Sequence, residues 1–287
     1  MAVRFVIDSA SDILPAEAKK LGLVHLPLKV LFGEEEYADA VTLTHQQFYE
    51  RLVESSALPT TCQIPPAEFE EVFQKLTETG DTVVAVTLSS RLSGTYQSAV
   101  IAAAEFPGKV FVVDSKSVCI GERILVLRGL ELAAEGLDAA AVAERLEAEK
   151  EKIRVMALVD TLEYLKKGGR ISAATALAGS LLSIKPVITL EDGKVEMVGK
   201  ARGSRQGNNL LRELVHKCGG INFSKPVALA YSGLSDALLR KYIADSEELW
   251  QGNAQSLSVT TVGCAIGTHV GPGAIAVAFF ENDKAQS

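Results

Sequence analysis

The chain has 287 residues, 47% of them hydrophobic and 23% charged, enough apolar material for one or two globular domains. A net charge of −7, with no basic cluster larger than Lys166-Lys167 near Arg170, argues against a nucleic-acid binder. Four scattered cysteines without a C-x-x-C pair argue against a zinc or redox centre, and no apolar run is long enough to cross a bilayer. The first residues run directly into a strand-like segment. No signal peptide is therefore expected, and a reducing cytoplasm is the expected location.

Short β-rich runs alternate with helical patterns through the first half. A strand is expected over 3–7, a helix over 15–21 and a second strand over 24–30. A helix over 44–55 opens on a capping box, Thr44 with Gln47 three residues on. A helix over 66–77 opens on proline. A buried strand over 82–88, a helix over 93–105, a strand over 110–113 and helices over 120–134 and 138–153 follow. This alternation predicts βαβ units, a mostly parallel sheet with helices on both faces.

The pattern changes near residue 154. A strand is expected over 155–159, and a helix from 162 is broken by Lys167-Gly168-Gly169-Arg170. An Ala/Leu-rich helix follows over 172–182. Runs over 187–190 and 195–198 flank Glu191-Asp192-Gly193-Lys194, a hairpin signal. A helix over 207–218, a strand over 227–231, a helix over 234–250 and strands over 257–262 and 274–280 complete the chain. The fold class expected is α/β: an N-terminal α/β domain over 1–153 and a C-terminal α+β domain with a hairpin over 154–287.

Four loops carry polar side chains where chemistry could sit. Asp8-Ser9-Ala10-Ser11-Asp12 follows the first strand, at the carboxyl end, where open parallel sheets bind ligands. Its two carboxylates suit a metal or phosphoryl transfer, and equally suit turns and caps. Thr60-Thr61-Cys62-Gln63 runs into a helix start. Ser89 through Tyr96 feeds another helix, where Ser93 and the Gly94 N–H can both donate to an anion. Gly263 through Gly273 holds His269 among glycines, on what reads as a tight loop between two strands. A hydrolase built on Ser93, His269 and an aspartate is the alternative, although no G-x-S-x-G elbow surrounds Ser93.

Seven segments in order resemble the DegV family of bacterial fatty-acid-binding proteins. They are Phe5 through Asp12, Pro59-Thr60-Thr61-Cys62-Gln63, Leu92 through Ala99, Val113-Asp114-Ser115, Leu162 through Ser172, Lys185-Pro186-Val187-Ile188 with Asp192-Gly193, and Gly267 through Gly273. The resemblance implies a two-domain carrier, not itself an enzyme, with one long-chain fatty acid buried between its domains; on that reading the Ala/Leu-rich segment 173–184 is a candidate tunnel wall, the alternative being a plain core helix. It implies no metal and no other cofactor. It further implies that a separate ATP-dependent fatty acid kinase converts the bound acid to an acyl phosphate for phospholipid synthesis, with an acyltransferase at the membrane surface as a further partner. The carboxylate-binding positions map onto Thr61, Ser93, Gly94 and His269, with Cys62, Thr95 and Thr268 as neighbours. Arg170 and Arg202 match basic positions used towards the kinase or the acyl phosphate. The alternative remains a phosphotransferase or hydrolase using Asp8, Asp12 or Ser93. The chain departs from the family pattern where Thr61-Cys62-Gln63-Ile64-Pro65 replaces Thr-Ser-Gln-Pro-Ser, and where Gly203 replaces a threonine after Arg202.

Overall fold

The computed structural model describes residues 2–172 and 184–282. Strand β1 (Val3–Asp8) leads through a 3-10 turn to helix α1 (Pro15–Leu21) and strand β2 (Leu23–Leu26). Pro27 has no N–H for a sheet ladder, and the strand stops there. The run expected as one strand over 24–30 is therefore two, and the second, β3 (Lys29–Phe32), lies in a different sheet. Then come β4 (Glu35–Ala38), α2 (His45–Glu54), β5 (Thr60–Cys62), α3 (Pro66–Glu78) and β6 (Thr82–Thr87). α4 (Thr95–Ala103), β7 (Val110–Asp114), α5 (Ile120–Ala134) and α6 (Ala139–Glu149) close this half. The expected capping box is present: Gln47 N–H donates to Thr44 Oγ1 at 3.2 Å, and Thr44 N–H to Gln47 Oε1 at 3.0 Å.

The parallel sheet runs β2-β1-β6-β7, and a small antiparallel sheet, β4-β3-β5, stands beside it. Side chains alternate across the parallel sheet. Phe5, Ile7, Val84 and Val86 face Ile124 and Leu125 of α5, while Val6, Val83 and Ala85 face Phe69 and Phe73 of α3 and Ala99 of α4.

The second half supplies β8 (Ile153–Leu158), α7 (Glu163–Lys167), β9 (Ile184–Glu191), β10 (Lys194–Arg202), α8 (Gly203–Lys217), β11 (Ala228–Tyr231), α9 (Ala237–Asp245), β12 (Ser258–Thr261), α10 (Cys264–Val270) and β13 (Ile275–Phe280). Its mixed sheet runs β10-β9-β8-β13-β11-β12. Asp192 (φ 44°) and Gly193 (φ 75°) form the two-residue turn of the β9–β10 hairpin, whose left-handed pair suits the strand twist. The segment 173–183, including most of the expected Ala/Leu-rich helix and tunnel wall, lies outside the described residues.

One face of the mixed sheet packs Met156, Leu158, Leu229 and Val277 against Leu211 of α8, Tyr242 of α9 and Trp250. The opposite face is built of Ala157, Ala228, Ala230, Ala276 and Ala278, and it shares one core with α5 and the parallel sheet. Helix α5 is buried without a break from Ile120 to Val126, as a helix covered on every side must be.

Candidate functional site

The alanine face shapes the site. In antiparallel register, Ile188 of β9 pairs with Ala157 of β8, Ala157 with Ala276 of β13, and Ala276 with Ala230 of β11. Three neighbouring strands thus place their smallest side chain on one row. The row leaves a furrow where valine or leucine would have filled the space against α5. That furrow is the floor of a cavity of about 240 Å³ bounded by the described residues. Val155, Val195, Val262 and Ile120 form its apolar sides.

One end of the cavity is polar. Thr61, at the edge strand β5, pairs with Val30 of β3 and is half-buried. Its Oγ1 lies 2.9 Å from Nε2 of His269. Ser93 and Gly94, on the loop from β6 into α4, line the same end. Ser93 Oγ is 3.0 Å from Thr95 Oγ1, and Gly94 is the residue preceding the first turn of α4, so its region carries free N–H groups. A Cβ on Gly94 would collide with the Gln63 carboxamide, which is itself anchored to Ser98 at 3.1 Å. Gln63, which also lines the cavity, is exposed and packs its carboxamide over Gly94.

His269 is not on a loop. Residues Cys264–Val270 form α10, and His269 stands in its last turn. The glycines misled because Gly267 serves packing: a Cβ there would meet the rings of Phe48 and Tyr49 on α2. Burial, and behind it the charge of Arg170, pushes the His269 imidazole down to about 4. It is therefore neutral near pH 7. Its Nδ1 is buried against Gly168, without a hydrogen-bond partner among the described residues.

Arg170, which follows the Lys-Lys-Gly-Gly break where the sequence suggests an exposed side chain, is half-buried at the cavity wall instead. Its guanidinium donates to the Leu92 carbonyl at 3.2 Å and to the Gly168 carbonyl at 2.6 Å, tying the Ser93 loop to the end of α7. Cys62 is exposed and lines the polar end. Thr95 is buried beneath Ser93. Thr268 bonds back to the Cys264 carbonyl at 2.9 Å and does not line the cavity. Arg202 is exposed at the end of β10, off the cavity. Thr61, Cys62, Ser93, Gly94, Arg170 and His269 are thus brought together, while Thr268 and Arg202 stand apart.

The first loop is wholly buried and stands outside the cavity lining. Asp8 accepts from Ala10 N–H at 2.9 Å and Leu88 N–H at 2.8 Å. Burial pushes its carboxyl up to about 7 and that of Asp12 up to about 8. Among the described residues no hydrogen bond joins Ser93 to His269, so the nucleophile–base pair of a hydrolase is not formed there. Asp39, His45 and Cys264 bring ligand atoms within 4.8 Å of one another, a donor set zinc accepts. Both Asp39 oxygens, however, already accept hydrogen bonds from Ser9 and from α10. Among the described residues no helix is long and apolar enough to cross a membrane.

A family model for uncharacterised proteins of the DegV family matches residues 2–282. A DegV domain-containing protein of Caldanaerobacter subterraneus is 34% identical over 281 residues, covering 97% of this chain and 98% of its own. A DegV family protein from Thermus thermophilus, solved for its fatty acid binding, superposes with a TM-score of 0.87 at 34% identity, over 98% of this chain and 100% of that one. DegV from Bacillus subtilis, described as a fatty acid binding protein, superposes with a TM-score of 0.81 at 29% identity, over 97% and 98% of the two chains.

Proposed function

The chain belongs to the DegV family, and from that premise we propose that it binds one long-chain fatty acid in the cavity between the parallel and mixed sheets. The reading takes residues 1–153 and 154–287 as two domains with the acid between them. The observation that carries it is the combination in one cavity of an apolar alanine furrow and a single polar end bearing Thr61, Ser93, Gly94 and His269.

The chemistry matches a carboxylate on an apolar rod. A buried carboxylate needs hydrogen-bond donors to offset its lost hydration. In this reading two hydroxyls, the Gly94 amide at the start of α4 and the His269 Nε2 supply them. Because His269 is neutral, it contributes a hydrogen bond and no formal charge. Each buried methylene adds about 0.8 kcal/mol, so the tail supplies most of the affinity and the head group sets its direction.

The carrier then presents the carboxylate at the polar end to a separate ATP-dependent kinase, which forms an acyl phosphate for lipid synthesis. Arg202, exposed and off the cavity, is the residue assigned to that partner. Arg170 holds the cavity wall, so its loss affects lipid binding as well. Native mass spectrometry of protein purified without delipidation tests the central reading. One fatty acid per chain is expected; a nucleotide or metal in its place contradicts it.

A further inference from the structure

The polar end is assembled from distant parts of the chain, and the start of α10 shows what holds it. Four consecutive residues there are gripped by N-terminal side chains. Tyr49 Oη donates to the Val262 carbonyl at 3.0 Å, and Gly263 N–H donates to Asp12 Oδ1 at 2.8 Å. Cys264 N–H donates to Asp39 Oδ1 at 3.0 Å, and Ala265 N–H to Asp39 Oδ2 at 3.1 Å. Asp39 is 1% exposed. It is fixed in turn by Ser9 Oγ at 3.0 Å, and Ser9 Oγ also accepts from Leu28 N–H at 3.0 Å.

The first N–H groups of a helix have no partner within it, so a carboxylate that accepts two of them sets both the rotation and the height of the helix. Here that helix carries Ala265 and Ile266 on the cavity wall and His269 one turn further on. Gly267 presses against Phe48 and Tyr49, leaving α10 no slack on its other side.

We propose that Asp39 is a positioning residue for ligand recognition: by accepting from the first two amides of α10, it places His269 against Thr61 at the head-group end. The loop Ser9–Asp12, which the sequence leaves open between chemistry and turn-making, then has a part in binding without touching the ligand. This inference rests on the fatty-acid reading above for its ligand, though not for its geometry.

The test compares Asp39→Ala, which removes the acceptor, with Ser9→Ala, which only loosens it. Delipidated protein is titrated with a long-chain saturated fatty acid and with the primary alcohol of equal length, and the His269 ring is followed by nitrogen NMR in ligand-free protein. Asp39→Ala is expected to lose about tenfold or more in affinity for the acid, with the alcohol held within about twofold. Ser9→Ala should show a smaller loss in the same direction, and the His269 ring resonances should move in both. Equal weakening of acid and alcohol, or an unmoved His269 ring, overturns the proposal. Should Asp39→Ala fail to fold, Ser9→Ala decides by the same two readouts. Wild-type protein that does not distinguish acid from alcohol would sink the head-group reading instead, and the His269 resonances would still judge Asp39.

Discussion

The two ends of the cavity are built by opposite strategies. The polar end takes Thr61 from an edge strand, Ser93 and Gly94 from a helix-entry loop and His269 from a short helix, and locks them with hydrogen bonds. The apolar floor uses no special residue. It arises because Ala157, Ala276 and Ala230 fall on one row of three paired strands. In the proposed complex, direction comes from a few placed donors at one end, and affinity from an absence of side-chain volume at the other.

The floor should therefore be the more sensitive end. Ala276→Leu puts a branched side chain into the furrow where the tail lies in the proposed complex. Since each excluded methylene forfeits about 0.8 kcal/mol, binding of long chains should fall about a hundredfold or more, and shorter acids should be preferred. Thermal unfolding of the empty variant should change little, because the added atoms enter a void. A variant that binds long acids normally would show that the tail runs elsewhere.

Removing one donor at the mouth should do less. In the proposed complex Thr61→Val and Ser93→Ala each take away one hydrogen bond to a charged group, about 1.5–3 kcal/mol, or roughly tenfold to a hundredfold in affinity. Their chain-length preference should match wild type. A changed preference would erase the division of labour between mouth and floor.

The comparison extends to pH. His269, held down to about 4, stays neutral from about pH 6 to 8, so fatty-acid affinity should be flat across that window. Fold stability should not be. Asp8 and Asp12, raised by burial to about 7 and about 8, keep protons that the unfolded chain releases near pH 4. Their contribution is present in acid and lost as pH rises from about 4 through 8. The melting temperature should fall over that range, and Asp12→Asn should flatten the fall. An affinity that titrates with a midpoint inside the flat window in Asp8→Asn and Asp12→Asn as well as in wild type would mean that His269 gains its charge there.

The smallest effect is expected at Arg202. Exposed and off the cavity, its change to alanine should alter fatty-acid affinity by less than about twofold, as surface substitutions usually do. With a kinase present, acyl-phosphate formation should drop. Unchanged phosphorylation would leave the partner assignment without support.

The loops at the polar end were visible in the sequence, and the family resemblance gathered them into one site; the floor was not visible, for a physical reason. Thr44 with Gln47, the turn at Asp192-Gly193, and the loops of Thr61 and Ser93 each announce themselves locally, through capping groups and residues suited to turns. Ala157, Ala230 and Ala276 are ordinary strand residues until long-range register aligns them, and register cannot be read from the segments separately. The helix of His269 was hidden for a related reason: Gly267 looks like a breaker in sequence and is a packing surface for Phe48 and Tyr49 in the fold. Pro27 was visible, yet its consequence, a strand divided between two sheets, depended on where each half found partners. Asp39 carried no motif, because its meaning lies in α10, far along the chain.

The claim that one acyl chain lies in the furrow with its carboxylate at the mouth is tested most directly by titrating delipidated protein with saturated fatty acids of increasing length. One site per chain and about a fourfold gain in affinity for each added methylene, until the furrow is full, are expected. Affinity independent of chain length, or a stoichiometry other than one, would contradict it.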